Sequence, residues 1–560
     1  MSLHAARVHD ICDSYVDEYA RLDPIAATEA GVAGHDDRLP DLSPAGHEAR
    51  ADLAARSLAR MAAARPADDG ERVARAVFAE RVGLAAETQA AGLPAASLNV
   101  VASPVQGVRQ VFDLMPTATA ADWAAIARRL AAVPAALSGY RTALLASAGK
   151  GVVSALRQVL RAAEQCESWS GGREPFFAAL VRQAGGVPGV GDALRADLDA
   201  GARAASAAYA ELAVFLRREL APYAPAEDAV GPDVYALHAR AFLGAELDLR
   251  EAYAWGWEEF ARVEAERGRL ARRISGGAGL AEAAAVLDAD PRHRVRGAEA
   301  FRDWMRELSE RALTGLRGTH FDIPEELMRL ECRIAPPGGG AGAYYVGPSE
   351  DFSRPGQMWW SLPPGAEEHP TWREASTVYH EGVPGHHLQI GTAVATPGLN
   401  RFQRLLCFVD GHGEGWALYA EGLMREFGYL DDAHLLGMLG KSLFRAARVV
   451  LDLGLHLKLE IPAGAGFHEG ERWTPELGLE FLRDRVLLEP GRARDELERY
   501  LGWPGQAPAY KLGERLWLSL REEARARRGA AFDLKEFHMG ALRSGPAGLG
   551  TLREVLAALE

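Results

Sequence analysis

The sequence predicts a mainly α-helical protein that carries a small β-sheet in its second half. Apolar residues recur every three to four positions along most of the 560-residue chain, which is the spacing of amphipathic helices. Many alanines lie inside these periodic segments, where alanine favours the helix more than any other residue. The short aromatic segments AYYVGP and QMWWSLP, each bounded by glycine or proline, are the best strand candidates.

Residues 1–320 are predicted to form a helical N-terminal half. Ser43 followed by Pro44 has the pattern of an N-cap with proline at the first helical position. Residues 93–118 hold turn residues and short apolar pieces, which predicts an irregular connector. Pro134 is expected to break or kink the helix in which it lies. The predicted helices cover about residues 10–30, 45–63, 69–91, 119–145, 192–219, 233–244, 247–273 and 295–317.

Residues 321–560 are predicted to form a second helical half. The glycine-rich segment 336–342 is predicted to be a loop that precedes the aromatic strands. Trp359 and Trp360 then lie either on an edge strand, to which an extended peptide can add, or on a buried core strand. The predicted helices of this half cover about residues 372–395 with an interruption at Pro384, and 400–427, 431–459, 474–488, 492–501 and 507–527.

The charge and the cysteine content argue against several classes of protein. A net charge of -14 and a pI near 5.7 argue against nucleic acid or an anionic membrane as the partner. We expect neither a membrane span nor a secretory signal, because no long uncharged apolar stretch is present, and we therefore predict a cytoplasmic protein. The four cysteines are scattered without CxxC spacing, which argues against disulfides and thiolate metal sites. Nothing in the sequence indicates an oligomeric state.

The stretch Tyr379–Gln389 concentrates residues that are able to bind a metal ion. It holds three histidines and a glutamate within eight positions. Adjacent residues on a helix point about 100° apart, so His380 can hold an ion while Glu381 reaches a water on its open side. In the zinc-binding pattern HExxH the second histidine stands four positions after the first, where this chain has Pro384.

The second histidine ligand is therefore His386 or His387. On an unbroken helix His387 shares a face with His380, but their Cβ atoms would be about 10 Å apart, a strained reach for one ion. If Pro384 and Gly385 force a bulge, two residues are absorbed and His386 takes the usual place. We favour His386 and retain His387 as the alternative.

A catalytic zinc ion usually has three protein ligands and one open position. The segment DGHGEGWALYAE, residues 410–421, supplies three candidates for the third ligand, which are His412, Glu414 and Glu421. Glu414 is the best placed, because it stands between two glycines near the start of a predicted helix. A lone acidic residue would be an ordinary exposed helix charge, so the prediction depends on the group as a whole.

The two signatures HEGVPGHHLQ and EGWALYAE together resemble the DUF885 family, large helical proteins that are similar to zinc-dependent peptidases. The segments DPIAATEAGVAGHDDRLPDLSP, YYVGPSEDFSRPGQMWW, RAARVVLDLGLH and PGQAPAYKLGE also resemble that family, so the likeness covers nearly the whole chain. A wider similarity is to the helical gluzincin peptidases. The resemblance implies a large multi-helical gluzincin-like fold, with two halves around a cleft or channel and a small sheet next to the active-site helix.

The resemblance also implies roles for individual residues. It implies one Zn²⁺ per chain, held by His380, by His386 or His387, and by Glu414. Glu381 would be the general base for a metal-activated water. Two further residues, Tyr510 and the weaker candidate His456, would stabilise the oxyanion of the reaction.

The function that the resemblance implies is that of a zinc metallopeptidase that cleaves short peptides. One alternative is a metal-dependent hydrolase of another amide or an ester. A second alternative, from a different class, is a catalytically inactive helical binding protein.

Overall fold

The computed structural model describes residues 7–172, 175–335, 342–363 and 365–558. The prediction of a mainly α-helical protein with a small sheet is confirmed. In the described residues, no helix is both long enough and apolar enough to cross a membrane. The helices are α1 Val8–Leu22, α2 Pro24–Glu29, α3 Pro44–Ala63, α4 Asp69–Ala90, α5 Pro104–Leu114, α6 Ala120–Ala148, α7 Leu156–Ser170, α8 Phe176–Arg182, α9 Asp192–Phe215, α10 Pro232–Leu243, α11 Leu249–Ile274, α12 Leu280–Ala289, α13 Ala298–Leu316, α14 Ala375–Glu381, α15 His386–Ala395, α16 Asp410–Glu426, α17 Asp432–Leu457, α18 Pro475–Asp484, α19 Pro490–Gly502, α20 Gln506–Arg528, α21 Leu534–Arg543 and α22 Leu549–Ala558. The strands are β1 Arg294–Arg296, β2 Leu330–Ile334, β3 Ala343–Val346, β4 Gly356–Trp360 and β5 Glu368–Pro370.

The chain forms two compact units. The first unit comprises Met1–Gly231 with Arg494–Pro504, and the second comprises Pro232–Ala493 with Gly505–Glu560. The predicted boundary between residues 320 and 321 lies inside the second unit. The predicted metal-binding residues all belong to the second unit.

The first unit has a core of aromatic and aliphatic side chains between α6 and α9. Trp123 and Tyr140 of α6 and Tyr209 of α9 are fully buried there. The Tyr209 hydroxyl is satisfied, because it donates a hydrogen bond to the carbonyl of Val105 at 2.8 Å. The predicted cap at Ser43 is confirmed: its hydroxyl accepts a hydrogen bond from the Gly46 amide in the first turn of α3.

The structure differs in two places from what was predicted for the first unit. The predicted irregular connector over 93–118 contains the helix α5, which begins with a capping box between Ser103 and Gln106 and buries Val108 and Phe112. Pro134 does not break its helix, because α6 runs through it without interruption. Packing outweighs the hydrogen bond that proline removes.

In both units, helices lie where no element was predicted, and these are α7, α8, α12, α21 and α22.

In the second unit, α16 and α20 pack with their backbones in direct contact. A Cβ atom added at Gly415 of α16 would lie 2.6 Å from the Cα atom of Gly513 of α20. No real Cβ contact is that short, so this approach requires glycine on both helices. The close packing fixes the position of α16, which carries Glu414.

The second unit holds two small sheets. β1 pairs antiparallel with β5, and the three-stranded sheet has the order β2-β4-β3. β4 lies in the centre, parallel to β2 and antiparallel to β3, with Met358 opposite both Cys332 and Tyr345. Of the two alternatives for Trp359 and Trp360, the structure has the core strand and not the edge strand, because both sides of β4 are paired and most of its residues are buried. The predicted loop over 336–342 lies, except for residue 342, outside the described residues.

Aromatic side chains pack against α16, and the buried histidine His538 of α21 lies among them. The His538 ring stacks on Phe321 at 5.3 Å between ring centroids, and its Nε2 lies 2.8 Å from the Tyr419 hydroxyl. Burial, reinforced by the charges of Arg521 and His320, lowers the pKa of His538 to about 3. The folded protein therefore keeps this imidazole neutral at pH values where the unfolded chain protonates it.

We expect the replacement of His538 by phenylalanine to weaken the acid sensitivity of the fold. Above pH 6.5 the imidazole is neutral in both states and does not contribute to the pH dependence. As the pH falls from 6.5 toward 3, the unfolded chain binds a proton that the folded chain rejects, so the free energy of unfolding falls by about 1.4 kcal/mol per pH unit. Urea unfolding at pH 7 and pH 5 should show about 2 kcal/mol less difference in His538→Phe than in the wild type. An unchanged difference would contradict the assignment of a neutral buried His538.

Candidate metal centre

The segment that separates His380 from His386 is a tight turn between two helices. The helix α14 ends at Glu381 and α15 begins at His386, and the turn contains the cis peptide bond Val383-Pro384. The Gly385 amide donates a hydrogen bond to the Tyr379 carbonyl at 3.1 Å. The interruption predicted at Pro384 is confirmed, and it is a complete break between two helices and not a bulge within one helix.

Gly385 is required by how closely this turn folds back on α14. A Cβ atom added there would lie 2.5 Å from the Tyr379 carbonyl oxygen and closer still to that of His380. Both of these atoms belong to the backbone, so they cannot rotate away as a side chain would. The second glycine of the turn, Gly382, also has close neighbours, with an added Cβ atom 2.6 Å from the Val378 carbonyl oxygen.

The turn brings His380 and His386 together with Glu414 of α16. One donor atom from each residue lies within 4.8 Å of the other two. The Oε2 atom of Glu414 lies 3.2 Å from Nε2 of His380 and 3.5 Å from Nε2 of His386. Both histidines are buried, at 3% and 6% exposure. Two imidazole nitrogens and a carboxylate oxygen form a donor set that could hold a divalent transition-metal ion.

His387 lies outside this cluster. Its Nε2–H donates a hydrogen bond to the Leu327 carbonyl at 2.8 Å, and its Nδ1 accepts one from the Tyr345 hydroxyl of β3 at 2.9 Å. Burial lowers the pKa of His387 to about 4, in agreement with this neutral form. His387 therefore ties α15 to the three-stranded sheet.

Glu421, another candidate for the third ligand, contacts His380 from the opposite side. Its Oε1 atom lies 3.0 Å from Nδ1 of His380, and both side chains are buried. A carboxylate in this position orients the ring and turns Nε2 toward Glu414. Burial opposes protonation of His380, but the hydrogen bonds to Glu414 and Glu421 outweigh it and raise its pKa to about 9. Burial alone would raise the pKa of Glu414, but its pairing with His380 and His386 holds that pKa well below its ordinary value.

Trp416, two residues after Glu414, was not predicted to take part in the site. It is fully buried, and its Nε1–H donates a hydrogen bond to the Pro384 carbonyl at 2.8 Å. This bond connects α16 to the turn that positions His386. The sequence signal was the signature EGW itself, in which the tryptophan follows the predicted ligand.

Glu381, the predicted general base, is the last residue of α14 and only 6% exposed. Burial raises its pKa, and the nearby charges of His380, His386 and Arg445 act against that rise. Its charge interacts with the same three side chains that form the donor cluster. A buried carboxylate of raised pKa beside a metal-binding cluster is suited to accept and release a proton.

His412, the remaining candidate ligand, is engaged elsewhere. Its Nδ1 accepts a hydrogen bond from Gln389 of α15 at 3.0 Å, and Gln389 also donates to the His412 carbonyl at 3.1 Å. Burial lowers the pKa of His412 to about 4. The structure does not bring this histidine into the cluster of His380, and its contacts hold α15 against α16.

The two candidate oxyanion donors lie on different helices. Tyr510, near the start of α20, is half-buried, and the guanidinium carbons of Arg445 and Arg448 lie 5.9 and 4.9 Å from its ring centre. His456 is buried near the end of α17, with its ring 5.7 Å from that of Tyr235. Neither residue belongs to the cluster of metal-capable donor atoms, and their roles stay predictions.

Solved structures of other proteins share this fold. A crystal structure described as that of "the putative lipoprotein from Colwellia psychrerythraea" matches with a TM-score of 0.84 and 24% identity, over 99% of this chain and 98% of that chain. A structure described as "a putative lipoprotein of unknown function from Shewanella oneidensis" matches with a TM-score of 0.73 and 18% identity, over 99% of this chain and 100% of that one. At these identities the likeness shows the fold alone.

A comparison with curated proteins finds no match. A family model does match, over residues 24–556, and its description reads "Bacterial protein of unknown function (DUF885)". The match spans both units and includes the whole donor cluster. This chain therefore belongs to the DUF885 family.

Proposed function

We propose that the protein is a zinc-dependent hydrolase and that it acts as a metallopeptidase on short peptides. The observation that carries the proposal is the convergence of His380, His386 and Glu414 within 4.8 Å, beside the buried Glu381. Two histidines and a glutamate are the ligand set of a large class of catalytic zinc sites, which keep a fourth position open. The proposed site of action is the cytoplasm.

The chain's own residues supply what this chemistry needs. His380, His386 and Glu414 would hold the ion, and Glu421 would keep the His380 ring in its ligating orientation. A bound zinc ion supplies Lewis acidity, which makes water a nucleophile near neutral pH and polarises a carbonyl group. The Glu381 carboxylate would accept a proton from the attacking water and then donate it to the leaving amine. Tyr510 is the proposed donor to the oxyanion.

The test of the metal site is a pair of alanine variants at adjacent histidines. We expect wild-type protein to bind one zinc ion at this site and His386→Ala to lose it, because a ligand is removed. His387→Ala should keep the zinc but unfold more easily by about 1–3 kcal/mol, because the Leu327 carbonyl loses its buried donor. Elemental analysis after dialysis against a weak chelator, together with urea unfolding, measures both effects. Retention of this zinc in His386→Ala with loss in His387→Ala would contradict the assignment.

The test of the activity is cleavage of a mixed library of short peptides. We expect cleavage by the zinc-loaded protein, its loss on chelation, and its return when zinc is added back. Mass spectrometry of the products detects new peptide ends directly. A zinc-loaded protein that leaves every peptide intact but hydrolyses simple esters would contradict the peptidase assignment, although not the metal site.

A further inference from the structure

A second group of metal-capable side chains lies on the surface of the second unit, away from the residues assigned above. It consists of His293, Asp431 and His434, and one donor atom from each lies within 4.8 Å of the other two. The two imidazole rings stand edge to face, with their centroids 5.6 Å apart. We propose that these three residues form a second binding site for a divalent transition-metal ion, with a structural role that does not depend on the proposed catalysis.

Asp431 and His434 are held in place by the start of α17. The Oδ1 atom of Asp431 accepts a hydrogen bond from the His434 amide at 2.9 Å and lies 2.9 Å from Nδ1 of the His434 ring. Asp431 is therefore the N-cap of the helix, which by itself explains why an aspartate stands there. The cap does not explain His293, which comes from a distant part of the chain and adds a second imidazole to the same spot.

His293 is also fixed by the backbone around it. It ends a 3-10 turn that begins at Pro291, and its amide donates a hydrogen bond to the Asp290 carbonyl at 3.0 Å. The next residues form β1, in which Val295 pairs with His369 of β5. Because the backbone is fixed both at His293 and at the start of α17, an ion can bind without a large rearrangement of the chain.

The donor set selects the class of ion. Two imidazole nitrogens and one carboxylate suit zinc, nickel, cobalt or copper, whereas magnesium and calcium prefer oxygen ligands alone. His293 and His434 are half-buried and Asp431 is exposed, so water can reach the remaining coordination position. Arg292, which precedes His293 in the chain, is paired with Asp290 at 2.6 Å, which reduces its repulsion of an ion.

An ion at this place would connect the start of α17 to a segment that leads to the candidate metal centre. β1 is paired with β5, and β5 runs through a short turn at 371–373 into α14, which carries His380 and Glu381. The turn is also attached to α12, because Trp372 donates a hydrogen bond to Asp288 at 2.8 Å. The second site would thus clamp the start of α17 to the strand pair that precedes α14.

The test is a zinc titration of the full-length protein against a chromophoric chelator. We expect two zinc ions per chain in the wild type and one in His293→Ala. Asp431→Asn keeps an oxygen that can cap α17, so it should fold normally and bind the second ion at least tenfold more weakly. The matched control is His468→Ala, which removes a surface histidine that also contacts two carboxylates, at 3.1 and 2.9 Å, and it should keep two ions.

A Glu414→Gln variant separates the two sites. It should retain the ion at His293, and the melting temperature of this variant should still rise when zinc is added. The same zinc-dependent rise should be absent when His293→Ala is added to Glu414→Gln. The proposal is overturned if His293→Ala binds as many ions as the wild type, or if His468→Ala loses an ion equally. A wild-type protein that binds only the ion at His293 would instead count against the proposed catalytic site.

Discussion

Replacing Glu381 by glutamine is expected to reduce kcat/KM for peptide cleavage by about 10²- to 10⁴-fold while the zinc content is unchanged. Glutamine has nearly the same shape but cannot take a proton from the attacking water. The side chain is buried beside the donor cluster, so bulk water cannot readily replace the missing base. Steady-state cleavage of one peptide from the library, with elemental analysis of the same preparation, measures both quantities.

The matched control is Glu374→Gln, which makes the same chemical change immediately before α14. Glu374 is paired with Lys441 at 2.7 Å and lies outside the donor cluster. An exposed or half-exposed ion pair contributes little, so cleavage should stay within about twofold of the wild type. If Glu381→Gln cleaved peptides as fast as this control, Glu381 would not be the general base.

Replacing Gly385 by alanine is expected to remove zinc binding and to destabilise the fold by about 3 kcal/mol or more. The new Cβ atom would overlap with the carbonyl oxygens of Tyr379 and His380, so the turn must open. Opening the turn moves His386 away from His380 and Glu414. The zinc content and the free energy of unfolding in urea should therefore fall together.

The control for this variant is Gly440→Ala in α17. A Cβ atom added there meets nothing within 4 Å, so only the helix preference of alanine remains. We expect this change to stabilise the protein by about 1 kcal/mol and to leave zinc binding intact. A Gly385→Ala protein as stable as the Gly440→Ala protein would show that the turn tolerates a side chain.

Local signals in the sequence predicted many of the helices. The Ser43-Pro44 cap depends only on neighbouring residues, and it forms as expected. The break expected at Pro134 depends on local preference alone, whereas the observed helix depends on the packing of α6 against α9. The helix α5 was missed because its capping box lies within a segment rich in turn residues.

The candidate site was predictable in its residue types but not in its geometry. His380, Glu381 and Glu414 follow from the motif. The choice between His386 and His387 depends on the turn at 382–385, whose path is set by contacts from distant parts of the chain. Glu421 and Trp416 take these roles only because α16 lies against α14. That contact cannot be predicted from the spacing of residues in the sequence.

The backbone contact between α16 and α20 has a consequence for local unfolding. Glu414 stands next to Gly415, whose Cα atom lies against Gly513 with no side chain between the two helices. A rotation or a shift of register in one helix would drive its backbone into the other, so we expect the two helices to open together. Amide protons of the two helices should therefore exchange with solvent in one shared opening event. The Glu414 carboxylate would then leave the donor cluster only when α20 also opens. The opening rate of α20 would therefore set how long the site stays intact.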